Sequence, residues 1–307
     1  MRKERVTMKR WNEDLEHTCN KAEIDTADSV ETSTMSSSLK QYYTFLAEQS
    51  NRREGYLHEQ DGYTCDVCKN RGIITKTEYF EDVGYWANVE HECVCMQVRR
   101  NIARLNRSGL KDVIGRYRFD TYYADEPWQN FVITMAQDYV AHYNEPGTGQ
   151  SRWFFMGGQS GAGKSHICTA ICREFLHSGK EVRYMLWRDE SAKLKACVND
   201  AAAYEKAIGE LKQTDVLYID DFFKCGQNEN GTQKPTGADI SLAFEILNYR
   251  YNNPHAITIL SSESTLDEII RIDEATGSRI GERAGKYSIS LTGNEKNYRL
   301  KKMNKAG

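Results

Sequence analysis

The chain has 307 residues, with 41 lysines and arginines against 44 acids and a formal net charge of −3. A balance this even gives no global field that selects a nucleic acid or a membrane surface. No apolar run approaches the roughly eighteen residues of a membrane span, and the N-terminal "MRKERVTMKRWNEDLEH" lacks the apolar core of a leader and mixes acids among its bases. These features predict a soluble, cytoplasmic protein, large enough for one large or two modest domains. Its nine cysteines are then thiols or metal ligands rather than disulfides.

Residues 1–38 are polar, acidic and rich in serine and threonine ("EIDTADSVETSTMSSS"). They have little to bury, which predicts a mobile segment. Met35, followed by three serines, offers a second translation start. Residues 39–57, with Tyr42, Tyr43, Phe45 and Leu46, predict a short helix. The first 58 residues thus form a flexible and helical N-terminal segment.

A cysteine module follows over 59–98. Cys65 and Cys68 form a C-x-x-C pair in a turn-like stretch, and Cys93 and Cys95 form a C-x-C pair. The segment between them alternates like a β-hairpin with Gly84 near its turn. A hairpin brings the two pairs together, and four thiolates at tetrahedral reach suit Zn²⁺. With all four positions filled by protein, the site is structural. His91 reads as a solvated histidine, with the alternative of a substitute ligand. Residues 99–120 then read as a basic linker helix carrying Arg99, Arg100, Arg104, Arg107, Lys111, Arg116 and Arg118. This face fits either a solvated connector or a contact with phosphates.

Residues 121–307 read as one α/β domain. The stretch from Gly158 to Ser165 is G-Q-S-G-A-G-K-S, which satisfies G-x-x-x-x-G-K-[ST] at every fixed position. The segment 152–156 before it is strand-like. After it Ile167, Ala170, Ile171 and Phe175 recur at helical spacing. In such a loop the backbone N–H groups of Gly158, Gln159, Ser160, Gly161, Ala162, Gly163, Lys164, Ser165 and His166 line the path of the phosphates. Lys164 reaches the β- and γ-phosphates, and the Ser165 hydroxyl sits on Mg²⁺. Cys168 and Cys172, one turn apart on the loop helix, read as core. Residues 181–187 form a second strand and 194–211 a helical stretch. Then "VLYIDD" (216–221) reads as a buried strand ending in acids. Asp220 is expected to serve the Mg²⁺ through water, and Asp221 to position the attacking water. Two more strands are expected over 256–263 and 286–293. Strands alternating with helices imply a parallel, three-layer sheet.

The cysteine module, the phosphate loop, Asp220-Asp221, "SSE" at 261–263, "GSRIGER" at 277–283 and "NYR" at 297–299, in this order, resemble the DnaC/DnaI-type replicative helicase loaders and their phage and prophage relatives. The wider group is the AAA+ ATPases, with the IstB-type transposition helpers as cousins. The resemblance covers roughly residues 60–302. It implies an AAA+ domain without a C-terminal lid, behind a zinc-binding module that holds the helicase. It implies an ATPase that binds single-stranded DNA and a replicative DnaB-type helicase, and that assembles with itself on either. By position it puts Ser262 at the γ-phosphate sensor and makes Arg279 or Arg283 the arginine supplied to a neighbouring subunit's ATP. A transposition helper is the alternative from the same fold, although such helpers usually lack a cysteine module. A phosphate-loop small-molecule kinase is the alternative from another class.

Overall fold

The computed structural model describes residues 34–144, 152–225 and 234–298. The expected mobile segment, up to residue 33, and Arg299 of the closing motif lie outside them. The chain separates into two compact units, Met1–Ala103 and Arg104–Gly307.

The first unit contains α1 (Thr34–Asn51), α2 (Leu57–Asp61), β1 (Ile73–Phe80), β2 (Tyr85–Glu92) and the start of α3 (Cys95–Ser108). The helix expected over 39–57 begins earlier and ends at Asn51, so part of the stretch read as mobile is helical. β1 and β2 form the expected antiparallel hairpin, in register from Ile73 opposite Glu92 to Phe80 opposite Tyr85. Gly84 closes its turn at φ +68°, a left-handed conformation that side chains disfavour. Asn51 ties α1 to the hairpin by exchanging two 2.8 Å hydrogen bonds with the backbone of Thr75.

In the second unit, α4 (Pro127–His142) precedes an alternation of strands and helices. These are β3 (Trp153–Gly158), α5 (Lys164–His177), β4 (Val182–Leu186), α6 (Trp187–Ala196), α7 (Ala201–Gln213), β5 (Val216–Asp220), α8 (Gly237–Asn252), β6 (Ile257–Ser261), α9 (Leu266–Ile272), α10 (Glu274–Ala284) and β7 (Ser288–Leu291). The five strands form one parallel sheet in the order β4-β5-β6-β3-β7. β3, β5 and β6 are buried throughout, as their unbroken apolar runs require when helices cover both faces. Trp153, Phe155, Leu217, Ile219 and Leu260 join one core cluster with Ile246 of α8 and Ile280 of α10. Residues of alternate parity point the other way, where Phe154 meets Tyr139 of α4 at 5.3 Å between ring centroids. The result is the expected three-layer architecture. Cys168 and Cys172 are fully buried in it.

One consequence of the strand order positions the site. β6 lies between β3 and β5, with Met156 opposite Ser261 and Ile219 opposite Leu260. All three strands are parallel, so the phosphate loop, Asp220-Asp221 and Ser261-Ser262-Glu263 leave the sheet at the same edge. Ligands of open α/β sheets bind outside this carboxyl edge.

Candidate functional site

The phosphate loop is built by its glycines. Gly158, Gly161 and Gly163 all have φ between +78° and +101°. A Cβ on Gly158 would lie 2.0 Å from the Leu291 carbonyl oxygen, and one on Gly161 would lie 2.2 Å from Asn297 Oδ1. At these two positions the loop passes too close to β7 and to Asn297 for a side chain. Lys164 opens α5, whose first N–H groups have no partner within the helix and point into the loop. The Lys164 ammonium, largely buried, donates to the Gly158 and Gln159 carbonyls at 2.8 and 2.9 Å. Burial lowers its pKa against the pull of Glu263 and Asp221.

Ser165 donates to Asp220 Oδ1 at 3.0 Å. A hydroxyl and a carboxylate side by side are the hard oxygen donors that Mg²⁺ takes. Asp220 is buried and also accepts from Tyr184 Oη at 3.2 Å, from the Asp221 amide at 3.1 Å and from Ser261 Oγ. Asp221 stands at φ +54° and Phe223 at φ +61°, so the turn after β5 has two non-glycine residues in the left-handed region. Asp221 Oδ2 lies 3.1 Å from Lys224 Nζ, which in turn lies 3.0 Å from Glu263 Oε1. A cavity of roughly 310 Å³ opens here, lined among others by Lys164, Ser165, Asp221, Lys224 and Glu263.

A smaller aromatic cavity adjoins the loop, with Thr121, Tyr122, Tyr123, His166 and Tyr298 in its wall. His166 is stacked on Tyr117 with centroids 5.0 Å apart, and its Nε2 donates to the Arg118 carbonyl at 2.8 Å. Burial lowers its pKa against the pull of the Arg118 carbonyl and Asp120. Flat, uncharged faces beside a phosphate loop can take a nucleobase. The Tyr298 amide donates to the Gly161 carbonyl at 3.1 Å, so the Asn297-Tyr298 part of the closing motif reaches the phosphate loop itself.

The structure thus brings together Gly158, Gln159, Ser160, Gly161, Ala162, Gly163, Lys164, Ser165, His166, Asp220 and Asp221. It treats the other expected residues differently. Ser262 is fully buried, and its hydroxyl donates to the Phe222 carbonyl at 2.7 Å. Of the two adjacent serines, it is Ser261 whose hydroxyl donates to Asp220. Arg279 and Arg283, on α10, do not line the phosphate cavity of their own chain. Arg279 lies over the rings of Phe244 and Tyr251 at 4.9 and 5.4 Å and donates to the Ala275 carbonyl at 2.7 Å. Arg283 is buried and donates to the Tyr251 carbonyl. Sequence reading missed Ser261, Lys224 and the tyrosines. The one available signal was "YRFDTYY" (117–123), too far upstream of the loop to suggest a shared pocket.

In the first unit, Cys65, Cys68, Cys93 and Cys95 converge. Cys65 and Cys93 Sγ are 3.9 Å apart and Cys68 and Cys95 Sγ 3.5 Å apart, and all four sulfurs lie within 4.8 Å of one another. Tetrahedral Zn²⁺ with Zn–S near 2.3 Å requires S···S of about 3.8 Å, so the four thiols fit the ion. Burial raises Cys93 to about 11 and pushes Cys95 up as well. Burial also acts on Cys68, but the hydrogen bonds from the Gly72 amide and the neighbouring thiols outweigh it and bring that group to about 7. His91 is bound to Glu78 at 2.6 Å and lies outside the cluster.

The expected basic helix over 99–120 is corrected. α3 ends at Ser108, where Gly109 takes φ +79°. Most of its arginines meet acids. Arg99 is buried on Asp61 at 2.5 Å, Arg100 pairs with Glu92, Arg104 and Arg107 share Glu181, and Arg118 pairs with Asp120. A row of arginines in sequence is thus largely matched by acids, and two of those acids, Asp61 and Glu181, come from distant segments. Among the described residues, no helix is long and apolar enough to cross a membrane.

Comparison with known proteins bears on this cleft. Residues 148–306 match the family model described as IstB-like ATP binding protein. The phage-like element PBSX protein XkdC of Bacillus subtilis is 31% identical over 243 residues, 78% of this chain and 86% of that protein. The replicative helicase loader DnaC of Escherichia coli is 25% identical over 198 residues, 64% of this chain and 73% of that protein. A crystal structure of the DnaC helicase loader superposes with a TM-score of 0.44 at 21% identity, covering 58% of this chain and 97% of that one. The matched family segment holds the loop, both acids and the strands that bring them to one edge, and with a match over more than half of its length the chain belongs to the IstB-like ATP-binding proteins.

Proposed function

We propose that this protein loads a replicative DnaB-type helicase onto single-stranded DNA and uses ATP to switch between two affinities. The observation that carries the reading is the similarity to DnaC, which spans 73% of that loader. In this reading ATP lies across the cleft with its phosphates on Gly158–Ser165 and its base against the aromatic wall. Ser165 and Asp220 hold Mg²⁺, which supplies charge neutralisation at the phosphates. Asp221 orients the attacking water. The cysteine module, over 59–98, carries Zn²⁺ and holds the helicase, and the 121–307 domain meets DNA. Low turnover suffices, since ATP serves to change relative affinities.

The test is capture of a purified DnaB-type helicase with and without ATP, followed by helicase transfer to a closed single-stranded circle. Nucleotide-dependent capture and transfer are expected. Failure to capture the helicase in every nucleotide state would overturn the reading. The family model's description favours a second reading, a transposition helper, which would show ATP-dependent binding to duplex DNA and no helicase capture.

The two acids are expected to separate by substitution. Asp220→Asn should weaken Mg²⁺-dependent ATP binding, because a buried carboxylate beside Ser165 is lost. Asp221→Asn should keep binding and slow hydrolysis by about 10²–10⁴. Wild-type turnover in Asp221→Asn, measured by phosphate release, would remove Asp221 from the water-orienting role.

A further inference from the structure

The phosphate cavity holds a second lysine that no motif announces. Lys164 and Lys224 both line it, together with Asp221 and Glu263. Two cations face two carboxylates there, and each lysine is occupied. Lys164 is folded back on loop carbonyls, and Lys224 bridges Asp221 and Glu263 at 3.1 and 3.0 Å. A triphosphate entering this space brings more negative charge beside two acids. Without a mobile cation between them and the phosphate, Asp221 and Glu263 would repel it.

The local backbone is built to present Lys224 at this place. Asp221 and Phe223 are both held at positive φ, a strain that persists only where the surroundings enforce it. Here the enforcement is a plug of aromatic rings. Phe222 and Phe223 are buried and pack on Trp187 at 5.0 and 5.6 Å. The Lys224 amide closes the turn on the Asp221 carbonyl at 2.9 Å. The Lys224 amide thus ties its backbone into the turn, while its side chain is 36% exposed at the cavity.

We propose that Lys224 is a second phosphate-binding cation that reads the terminal phosphate of ATP. With no triphosphate bound, it bolts Asp221 to Glu263. The γ-phosphate competes for its ammonium, and transfer of the ion pair from carboxylate to phosphate frees Asp221. Lys224 therefore favours triphosphate over diphosphate and makes Asp221 available only when there is a phosphate to cleave. The inference rests on the ATP-binding reading of the cleft.

The test is equilibrium titration of the full chain with ADP and with a non-hydrolysable ATP analogue, both with Mg²⁺. A charge-assisted hydrogen bond is the interaction lost, so Lys224→Met should weaken the analogue about ten- to a hundredfold. ADP should change by less than about twofold, and Lys224→Arg should retain most of the preference. Bare carboxylates left behind could mimic this result, and the double variant Lys224→Met/Glu263→Gln separates the two causes. If Lys224 contacts the phosphate, the double variant stays weak for the analogue. If Lys224 only screens Glu263, the double variant recovers, and the proposal is overturned. Equal weakening of ADP and analogue in Lys224→Met, with an unchanged melting temperature, would also overturn it. Wild-type protein that binds neither nucleotide would bring down the ATP-binding reading and this inference together, and Lys164→Ala sets the no-binding baseline.

Discussion

Arg279→Ala is expected to bind ATP as the wild type does and to hydrolyse it about 10³–10⁵-fold more slowly, the range that arginine fingers contribute elsewhere. The family resemblance made Arg279 a candidate by position and Arg283, one helical turn on, a second. Their surroundings separate them. Arg283 is 8% exposed, donates to the Tyr251 carbonyl and lies over the Tyr251 ring at 4.8 Å, so it holds α10 against α8. Arg279 is half-buried and stacked on Phe244 and Tyr251, with Asn248 Oδ1 accepting from its Nε at 3.2 Å. A planar guanidinium held by rings and a side-chain amide is pre-organised, so little side-chain entropy is lost when it meets a phosphate. It is not part of its own cleft wall, so action on ATP requires a neighbouring subunit. Specific activity should then rise with protein concentration. The decisive measurement mixes two inactive proteins. Lys164→Ala offers its arginine but cannot hold ATP, and Arg279→Ala holds ATP but offers no arginine. One competent interface can form in the mixture, and turnover should return. A mixture as inactive as its parts, with assembly verified by sizing, would mean that Arg279 acts within its own subunit or not at all.

What the sequence allowed to be read, and what it hid, follow one physical line. Elements set by local pattern were readable. The unbroken apolar runs of β3 and β5, the glycines and lysine of the loop, and the alternating hairpin between the cysteine pairs all report on their own backbone. Partnerships made by the fold were not. Nothing near Arg99 in sequence announces Asp61, and nothing near Arg104 announces Glu181, so the arginine row read as an open basic face. The same limit applies at the cleft. Ser261 and Ser262 are adjacent and chemically identical. Only the direction of the chain leaving β6 decides that Ser261 faces Asp220 while Ser262 turns to the Phe222 carbonyl. Lys224 escaped for another reason. Its placement depends on two residues at positive φ that are not glycine, and sequence gives no sign of such strain.

Stripping the metal from the cysteine module is expected to unfold the first unit and leave the second intact. The reason lies in what each unit has to bury. The second unit has an extensive apolar core on both faces of a five-stranded sheet. Among the described residues of the first unit, the buried apolar side chains other than the four cysteines are Ala47, Val98 and Ile102. The apolar side chains packed on the cysteine cluster, Tyr63, Ile74 and Met96, are themselves only partly buried. A unit of this size with so small a core needs a staple. Structural zinc supplies about 10–16 kcal/mol of apparent binding free energy in small domains, and that energy is folding energy. The surroundings of the thiols suit the task. The Gly72 amide donates to Cys68 Sγ at 3.2 Å, and Arg99 is held by Asp61 within reach of Cys95, so the charge of four thiolates has partners close by. Elemental analysis of purified protein should give about one Zn²⁺ per chain. With a strong chelator, hydrogen exchange followed by mass spectrometry should show protection lost across residues 57–103 and kept in strands β3 to β7. Protein that contains no metal, with all four thiols reacting freely in the native state, would remove zinc from this module and with it the predicted unfolding.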